Sequence, residues 1–230
     1  MLVNLLQASS DILVQQAAGA HEKLSLISMA SKGGFIMIVL LALSIVAVYI
    51  FGDRWWAIRK ASDIDDNFMN DINNNIHEGK IKAAIALCKN YNSPIARLIE
   101  KGIERIGRPL SDIQSAVENT GNVEIARLEK GLPILAMVSG GAPMLGFLGT
   151  VLGMIQAFYN MAQAGNNIDI SLLSHGIYIA MVTTVGGLIV GIIAYFGYNY
   201  LTSRISNLVF KMESSTIEFM DLLNEPASKK

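Results

Sequence analysis

From residue 131 to residue 203 the chain reads GLPILAMVSGGAPMLGFLGTVLGMIQAFYNMAQAGNNIDISLLSHGIYIAMVTTVGGLIVGIIAYFGYNYLTS. This run contains no lysine or arginine and a single acid, Asp169. Such a stretch would be unusual in a soluble core, whereas about 20 consecutive apolar residues are enough for one helix to cross a bilayer. It therefore predicts two membrane helices, within 131–162 and 172–200, joined by a short external turn at 163–171.

A further span precedes this run. Residues 34–51 are uncharged, and Arg54, Trp55 and Trp56 follow closely, as expected of a basic and aromatic belt at a membrane surface. Only 16% of the 230 residues are charged, against about 25% in soluble domains. We therefore expect an all-α membrane protein with three transmembrane helices, of which the second and third extend into a helical cytoplasmic domain.

The placement of lysine and arginine predicts the orientation of the spans. Residues 1–33 hold two basic residues, residues 52–130 hold twelve, and residues 201–230 hold four. The N-terminus is therefore expected outside and the C-terminus in the cytoplasm. Residues 1–33 are then an external segment, for which an amphipathic surface helix is one candidate. Residues 52–130 form the cytoplasmic helical domain, and residues 201–230 a cytoplasmic helix and tail.

Local signals place helices within the cytoplasmic domain. Ser93 before Pro94 is typical of a helix N-cap followed by proline at the first helical position, and Gly107 is suited to end that helix. Pro109 opens a second helix that could run into the second span. Residues 70–75 are polar and predict a turn.

Small residues recur three or four positions apart in spans two and three, with GxxxG at Gly149–Gly153 and at Gly187–Gly191. Such faces allow membrane helices to approach closely, and helix packing is their ordinary interpretation. The positions assigned to packing or to a pore face are Pro143, Gly146, Gly149, Gly153, Ala180, Gly187 and Gly191.

Three hydroxyls lie within these faces. Thr150 is 18 residues before Ile168, near the external turn, and Thr184 is 16 residues after it, with Thr183 beside it. At ~1.5 Å per residue these separations correspond to about 27 Å and 24 Å of helix, so antiparallel spans place the hydroxyls at nearly one depth. A membrane threonine often only bonds the carbonyl one turn back. Three at one depth predict a polar ring around a cavity.

No Asp, Glu, Lys or Arg lies in the core of any span. Because intramembrane carboxylates are the usual proton carriers, a proton pathway here requires a carboxylate from another chain. The lone Cys88 and three scattered histidines predict no metal site, and no catalytic triad or phosphate loop indicates an enzyme or a cofactor. His175 is best interpreted as an interfacial histidine. A net charge of −1 gives no reason to expect nucleic-acid binding.

Two stretches resemble the span signatures of the MotA/TolQ/ExbB proton channel family. APMLGFLGTVLGMI at 142–155 resembles the signature of its second span, and HGIYIAMVTTVGGLIV at 175–190 that of its third. LEKGL at 128–132 and SPIAR at 93–97 also fit the family. Three spans with an external N-terminus resemble the ExbB and TolQ branch, because MotA proteins have four spans.

The resemblance implies an inner-membrane pentamer whose second and third spans line a pore around two ExbD-like helices. Each ExbD-like helix carries a proton-carrying Asp, and the family's pore-facing threonines match Thr150 and Thr184, with Thr183 beside them. Membrane lipid surrounds the ring, and proton flow energises a TonB-like or other envelope protein. Proteobacterial ExbB and TolQ proteins carry a Glu near the start of the third-span motif, where this chain has Ile179.

Several functions remain open at this point. An ExbB-like channel subunit that energises TonB-dependent transport is favoured. A TolQ-like or MotA-like stator that drives another envelope machine is the alternative within the family. A membrane scaffold that packs partner helices without conducting is the alternative from another class, and a small-solute transporter comes third.

Overall fold

The computed structural model describes residues 34–62, 64–65, 67–163 and 170–224. These residues form helices and contain no strand, and three helical stretches are long and apolar enough to cross a membrane. The predicted all-α, three-span fold is therefore confirmed. In chain order the helices are α1 (Gly34–Ala61), α2 (Phe68–His77), α3 (Ile81–Asn90), α4 (Pro94–Ile103), α5 (Leu110–Glu129), α6 (Leu132–Gln163) and α7 (Ile170–Asn224).

The chain divides into two compact units, each assembled from separate pieces of sequence. The described part of the first unit is residues 34–42, 142–163 and 170–189, which belong to α1, α6 and α7. Many of its large apolar side chains point outward, as in helices that face lipid or partner helices. Examples are Phe35, Ile38, Met144, Phe147, Ile155 and Met181.

The second unit comprises α2 to α5 together with residues 43–61, 132–141 and 190–224 of the long helices. Its core is mainly apolar, and the burial of this surface supplies the main driving force for packing these short helices. The largest of its fully buried side chains are Phe68, Ile72, Ile99, Ile103, Leu135, Leu201, Leu208, Val117 and Phe219.

Helix α4 begins as the sequence predicts. The Ser93 hydroxyl accepts a hydrogen bond from the amide of Ala96 at 3.1 Å, and Pro94 occupies the first turn. The helix ends at Ile103, and Gly107 then adopts φ +97°, a left-handed conformation that suits glycine. The predicted cap is confirmed, and Gly107 lies in the turn that follows the helix.

The turn predicted at residues 70–75 is wrong, because these residues lie inside α2. Phe68 and Ile72 fall one turn apart and are buried, so tertiary burial stabilises a helix whose composition is polar. The Asn75 side-chain amide also donates to the carbonyl of Asp71 at 2.8 Å, within the helix.

The long helices extend beyond their predicted spans. Helix α7 is continuous over 55 residues, so the predicted continuation of span three into a further helix is confirmed. The helix that follows Pro109 ends at Glu129, and Gly131 at φ +88° separates it from α6. The predicted segment 1–33 and residues 164–169 of the predicted turn lie outside the described residues, as do residues 225–230.

Candidate functional site

Helices α6 and α7 approach most closely where small residues face each other. A Cβ added at Gly187 would lie 2.5 Å from the carbonyl oxygen of Ala142 and 2.8 Å from the Cα of Gly146. A Cβ added at Gly146 would lie 2.9 Å from the carbonyl oxygen of Thr183. The obstacles are backbone atoms, so these glycines set the distance between the two helices.

This close contact between α6 and α7, called the seam below, continues along both helices. A Cβ at Gly153 would meet Ala180 at 2.9 Å, and one at Gly176 would meet Ala157 at 2.5 Å. Pro143 lies inside α6 and is half-buried, and Gly191 is buried within the second unit. Helix packing, the ordinary interpretation of the small-residue faces, is therefore what these contacts show at Gly146, Gly149, Gly153, Gly176 and Gly187.

Helix α1 also packs on α7 within the first unit. A Cβ at Gly186 would lie 2.9 Å from the terminal methyl of Met37, and Leu40 is close to the same point. Leu40 is only 2% exposed, so the first span contributes a packed surface as well as a membrane anchor.

Thr150 of α6 and Thr184 of α7 meet on the seam, with their hydroxyl oxygens in direct contact. The predicted common depth of these two hydroxyls is confirmed by that contact. Thr184 Oγ1 donates to the carbonyl of Gly146 at 3.1 Å, and Thr150 Oγ1 lies 3.2 Å from the carbonyl of Ala180. Both threonines are half-buried, so the pair is packed on one side and accessible on the other.

The Thr150 hydroxyl has two alternative hydrogen-bond acceptors. Each threonine carries one hydroxyl proton and can both donate and accept. In one arrangement both hydroxyls donate to carbonyls. In the other, Thr150 donates to Thr184, and Thr184 donates to Gly146. The exchange requires only rotation of the Thr150 hydroxyl about its Cβ–Oγ bond. Both oxygens keep lone pairs that can accept a hydrogen bond from a group placed beside the pair, and either hydroxyl can donate to such a group by giving up one of these internal hydrogen bonds.

Thr183 has a different environment from its neighbour. Its side chain is only 1% exposed, and its hydroxyl donates to the carbonyl of Ala180 at 2.8 Å. A Cβ at Gly149 would collide with the Thr183 hydroxyl and its Cβ. The structure therefore brings Thr150 and Thr184 together on the accessible part of the seam and encloses Thr183 between α6 and α7.

The second unit contains a buried carboxylate that the sequence did not predict. Glu124 is 3% exposed and accepts hydrogen bonds from Arg97 and Arg127, each at 2.6 Å. Arg97 also donates to Asn92, and Arg54 donates to the carbonyl of Arg127 at 3.1 Å. This network ties α4 to α5. The SPIAR motif pointed to Arg97, but nothing local indicates its partner 27 residues away.

Three other positions considered from the sequence are not part of the threonine pair. His175 is exposed on α7, and Ile179 is half-buried one turn further along. Cys88 is buried in the second unit, and this burial, with a smaller contribution from Glu100, raises the pKa of its thiol to about 12. Among the described residues, no three His, Cys or acidic side chains group together as potential metal ligands.

Fold and site together define a class: an all-helical protein with three candidate membrane spans, the last two of which pack on small residues around paired hydroxyls. The sequence profile of one family, the MotA/TolQ/ExbB proton channel family, matches residues 90–214, more than half of the chain. The chain therefore belongs to the MotA/TolQ/ExbB proton channel family.

Individual relatives agree with this placement. The chain is 29% identical over 190 residues to a putative biopolymer transport protein ExbB homolog of Methanothermobacter thermautotrophicus, covering 82% of this chain and 67% of that protein. It is 26% identical over 212 residues to the Tol-Pal system protein TolQ of Pseudomonas aeruginosa, covering 87% and 91%. It is 35% identical over 117 residues to the biopolymer transport protein ExbB of Aquifex aeolicus, covering 49% and 75%.

Proposed function

We propose that this protein is the channel-forming subunit of an inner-membrane motor that couples the proton motive force to work on the outer membrane or cell envelope. Membership of a proton channel family supports the general class. The observation that carries the proposal for this chain is the contact between the Thr150 and Thr184 hydroxyls at one depth of the spans.

The proton-carrying group comes from a partner chain. The spans of this chain contain no acidic residue in their cores, so they cannot form a carboxylate relay by themselves. The proposed partner is an ExbD-like subunit with a single membrane helix that carries an Asp. Five copies of this chain would form the wall around two such helices. Relatives named ExbB and TolQ support a partner of this kind.

A neutral hydroxyl pair suits a carboxylate that must repeatedly gain and lose a proton. Ionising a carboxylate in an apolar site is costly, and hydrogen bonds to the charged form reduce this cost. Thr150 and Thr184 can donate to the ionised form and accept from the protonated form. Because they carry no fixed charge, they do not hold the proton in place. The partner Asp would ionise beside the threonine pair and become neutral against the apolar wall.

Thr183 has a separate role in this proposal. Its burial against Gly149 places its hydroxyl within the subunit, where it satisfies a backbone carbonyl. We assign Thr150 and Thr184 to the proton pathway and Thr183 to the packing that keeps them in register.

The distribution of lysine and arginine supports the orientation that we propose for the spans. An external N-terminus places the twelve lysines and arginines of residues 52–130 in the cytoplasm. The same arrangement puts α2 to α5 and the end of α7 on the cytoplasmic side.

The energised machine is proposed to be an ExbB-type system acting through a TonB-like protein. A TolQ-type system is the second candidate, because the match to TolQ of Pseudomonas aeruginosa covers most of both chains. A neighbouring gene that encodes a TolR-like or an ExbD-like subunit, beside Tol-Pal or TonB-like components, would separate the two. The alternative from another class is a non-conducting scaffold, and proton flux that depends on this protein would exclude it.

The function is tested in cells in which the motor supports a scorable envelope phenotype. Replacing Thr150 and Thr184 by valine keeps their shape and removes both hydroxyls, and replacing them by serine keeps the hydroxyls. We expect loss of function with valine and substantial retention with serine, at equal amounts of assembled complex. Full activity of an assembled valine variant would refute the proposed site.

A further inference from the structure

A basic cavity lies where α1 and α7 leave the predicted membrane region. It has a volume of about 410 Å³, and both helices contribute cationic and aromatic side chains to its wall. Its wall includes Trp55 and Arg59 of α1 and Tyr200 and Arg204 of α7. An adjoining cavity of about 510 Å³ shares Arg59 and adds Trp56 and Lys60.

The cations of this cavity turn back towards the apolar part of their helices. The Arg59 guanidinium lies 5.6 Å from the centre of the Trp55 ring, and the Lys60 ammonium lies 5.6 Å from that of Trp56. Each aromatic partner is four residues earlier in the chain. Helical side chains lean towards the N-terminus of their helix, which here is the end that carries the span. The charged groups therefore point to the level where lipid headgroups lie.

Arg204 follows the same pattern on α7. Its Nε and Nη2 both donate to the hydroxyl oxygen of Tyr200 at 3.2 Å. The guanidinium has five N–H groups, so three remain for a ligand, and the Tyr200 hydroxyl keeps its own proton to donate. The indole N–H of Trp55 is already hydrogen-bonded to the Tyr200 hydroxyl, so the donors left for a ligand are the remaining guanidinium N–H groups and the Tyr200 proton. The wall thus offers several donors, and among the described residues that line it there is no carboxylate.

Apolar side chains complete the cavity. Ile58 and Leu201 line it beside the charged groups and are almost completely buried. A cavity with positive charge, many donors and an apolar wall is complementary to a phosphate group that is attached to a hydrocarbon chain. Basic pockets between membrane helices are a recurrent mode of binding anionic phospholipid headgroups.

We propose that this cavity binds the phosphodiester of an anionic phospholipid, with phosphatidylglycerol as the ligand. The phosphate lies between the guanidinium groups of Arg59 and Arg204, and the acyl chains run along the apolar sections of α1 and α7. One lipid molecule thereby links the first span to the third at the membrane boundary. This site is independent of the proton pathway proposed above.

The tryptophans provide a direct probe of the site. Trp55 and Trp56 are the two tryptophans of the chain, and each lines one of the two cavities. The full-length protein is reconstituted in phosphatidylcholine bilayers that contain phosphatidylglycerol brominated near the top of its acyl chains. Bromine quenches tryptophan fluorescence at short range, and equally brominated phosphatidylcholine gives the reference for random lipid contact.

We expect brominated phosphatidylglycerol to be preferred over brominated phosphatidylcholine by about tenfold, as several favourable charge contacts predict. In the double variant Arg59→Gln, Arg204→Gln the preference should fall to about twofold or less. Lys130→Gln is the matched control. Lys130 is an exposed cation just before α6 that lines neither cavity, and its removal should leave the preference unchanged.

Three results would overturn the proposal. The first is equal quenching of the wild-type protein by the two lipids. The second is an equal loss of preference in Lys130→Gln, which would indicate general surface attraction. The third is displacement of the lipid by millimolar inorganic phosphate, which would assign the cavity to a free anion. Quenching by brominated phosphatidylcholine checks that each variant is inserted. If the double variant does not fold, Arg204→Gln alone is measured in the same way.

Discussion

Gly187 offers a quantitative test of the α6–α7 seam. In Gly187→Ala, the new Cβ would lie 2.5 Å from the carbonyl oxygen of Ala142, whereas ordinary contact begins near 3.4 Å. The difference is about 0.9 Å. The obstacles are backbone atoms, so the helices themselves must separate. Overpacking of this kind costs about 1–3 kcal/mol. The separation should also break the contact between Thr150 and Thr184.

The assay is unfolding of the purified protein in detergent, followed by circular dichroism, with Gly140→Ala as the matched control. Gly140 also lies on α6, and a Cβ there meets no atom within 4 Å. The control should change the free energy of unfolding by about 0.5 kcal/mol or less. If Gly187→Ala proved as stable as Gly140→Ala, the seam would not be as tight as the structure places it.

Three further predictions concern the second unit. Gly102→Ala should destabilise the protein by about 1–3 kcal/mol in thermal unfolding, because its Cβ would meet the fully buried ring of Phe219. Glu124→Gln should cost about 1–2 kcal/mol in the same assay, a value reduced because its partner Arg97 is partly exposed. Cys88 should react with maleimide at pH 8 about a thousandfold more slowly in the folded than in the unfolded protein, because its pKa rises from 9.0 to about 12. The unfolded thiol ionises first, so the contribution of Cys88 to stability is complete below pH 9 and is lost as the pH rises towards 12.

The predictions for Gly102 and Glu124 each have a control within the chain. Gly52→Ala places a methyl group where no atom lies within 4 Å, and it should leave the unfolding temperature nearly unchanged. Glu118→Gln removes an exposed carboxylate from the same helix as Glu124 and should be close to neutral. Rapid maleimide labelling of Cys88 in the folded protein would contradict the burial of its thiol. Equal losses of stability in Glu118→Gln and Glu124→Gln would contradict the stabilising role of the buried Glu124 carboxylate.

The sequence predicted the membrane fold well, because long apolar segments leave few structural alternatives in lipid. It also predicted that Thr150 and Thr184 lie at one depth, since helix rise is nearly constant and the two spans are antiparallel neighbours. The N-cap at Ser93 was predictable because the hydrogen bond to Ala96 is local.

Features that depend on long-range packing could not be predicted. The polar residues of α2 resembled a turn, and only the burial of Phe68 and Ile72 against other helices makes them helical. Adjacent positions 183 and 184 carry the same residue type, and only the docking of α6 distinguishes the enclosed Thr183 from the accessible Thr184. The pairing of Glu124 with Arg97 likewise joins residues that no local pattern relates.

Proton flux across liposomes tests the central claim most directly. The protein is reconstituted with its ExbD-like partner, and acidification of the lumen is followed with a pH-sensitive dye under an imposed gradient. We predict that Thr150→Val with Thr184→Val abolishes the flux that depends on the partner Asp, and that serine at both positions retains it. Unchanged flux through the valine variant, with the complex intact, would contradict the assignment of these hydroxyls to the proton pathway.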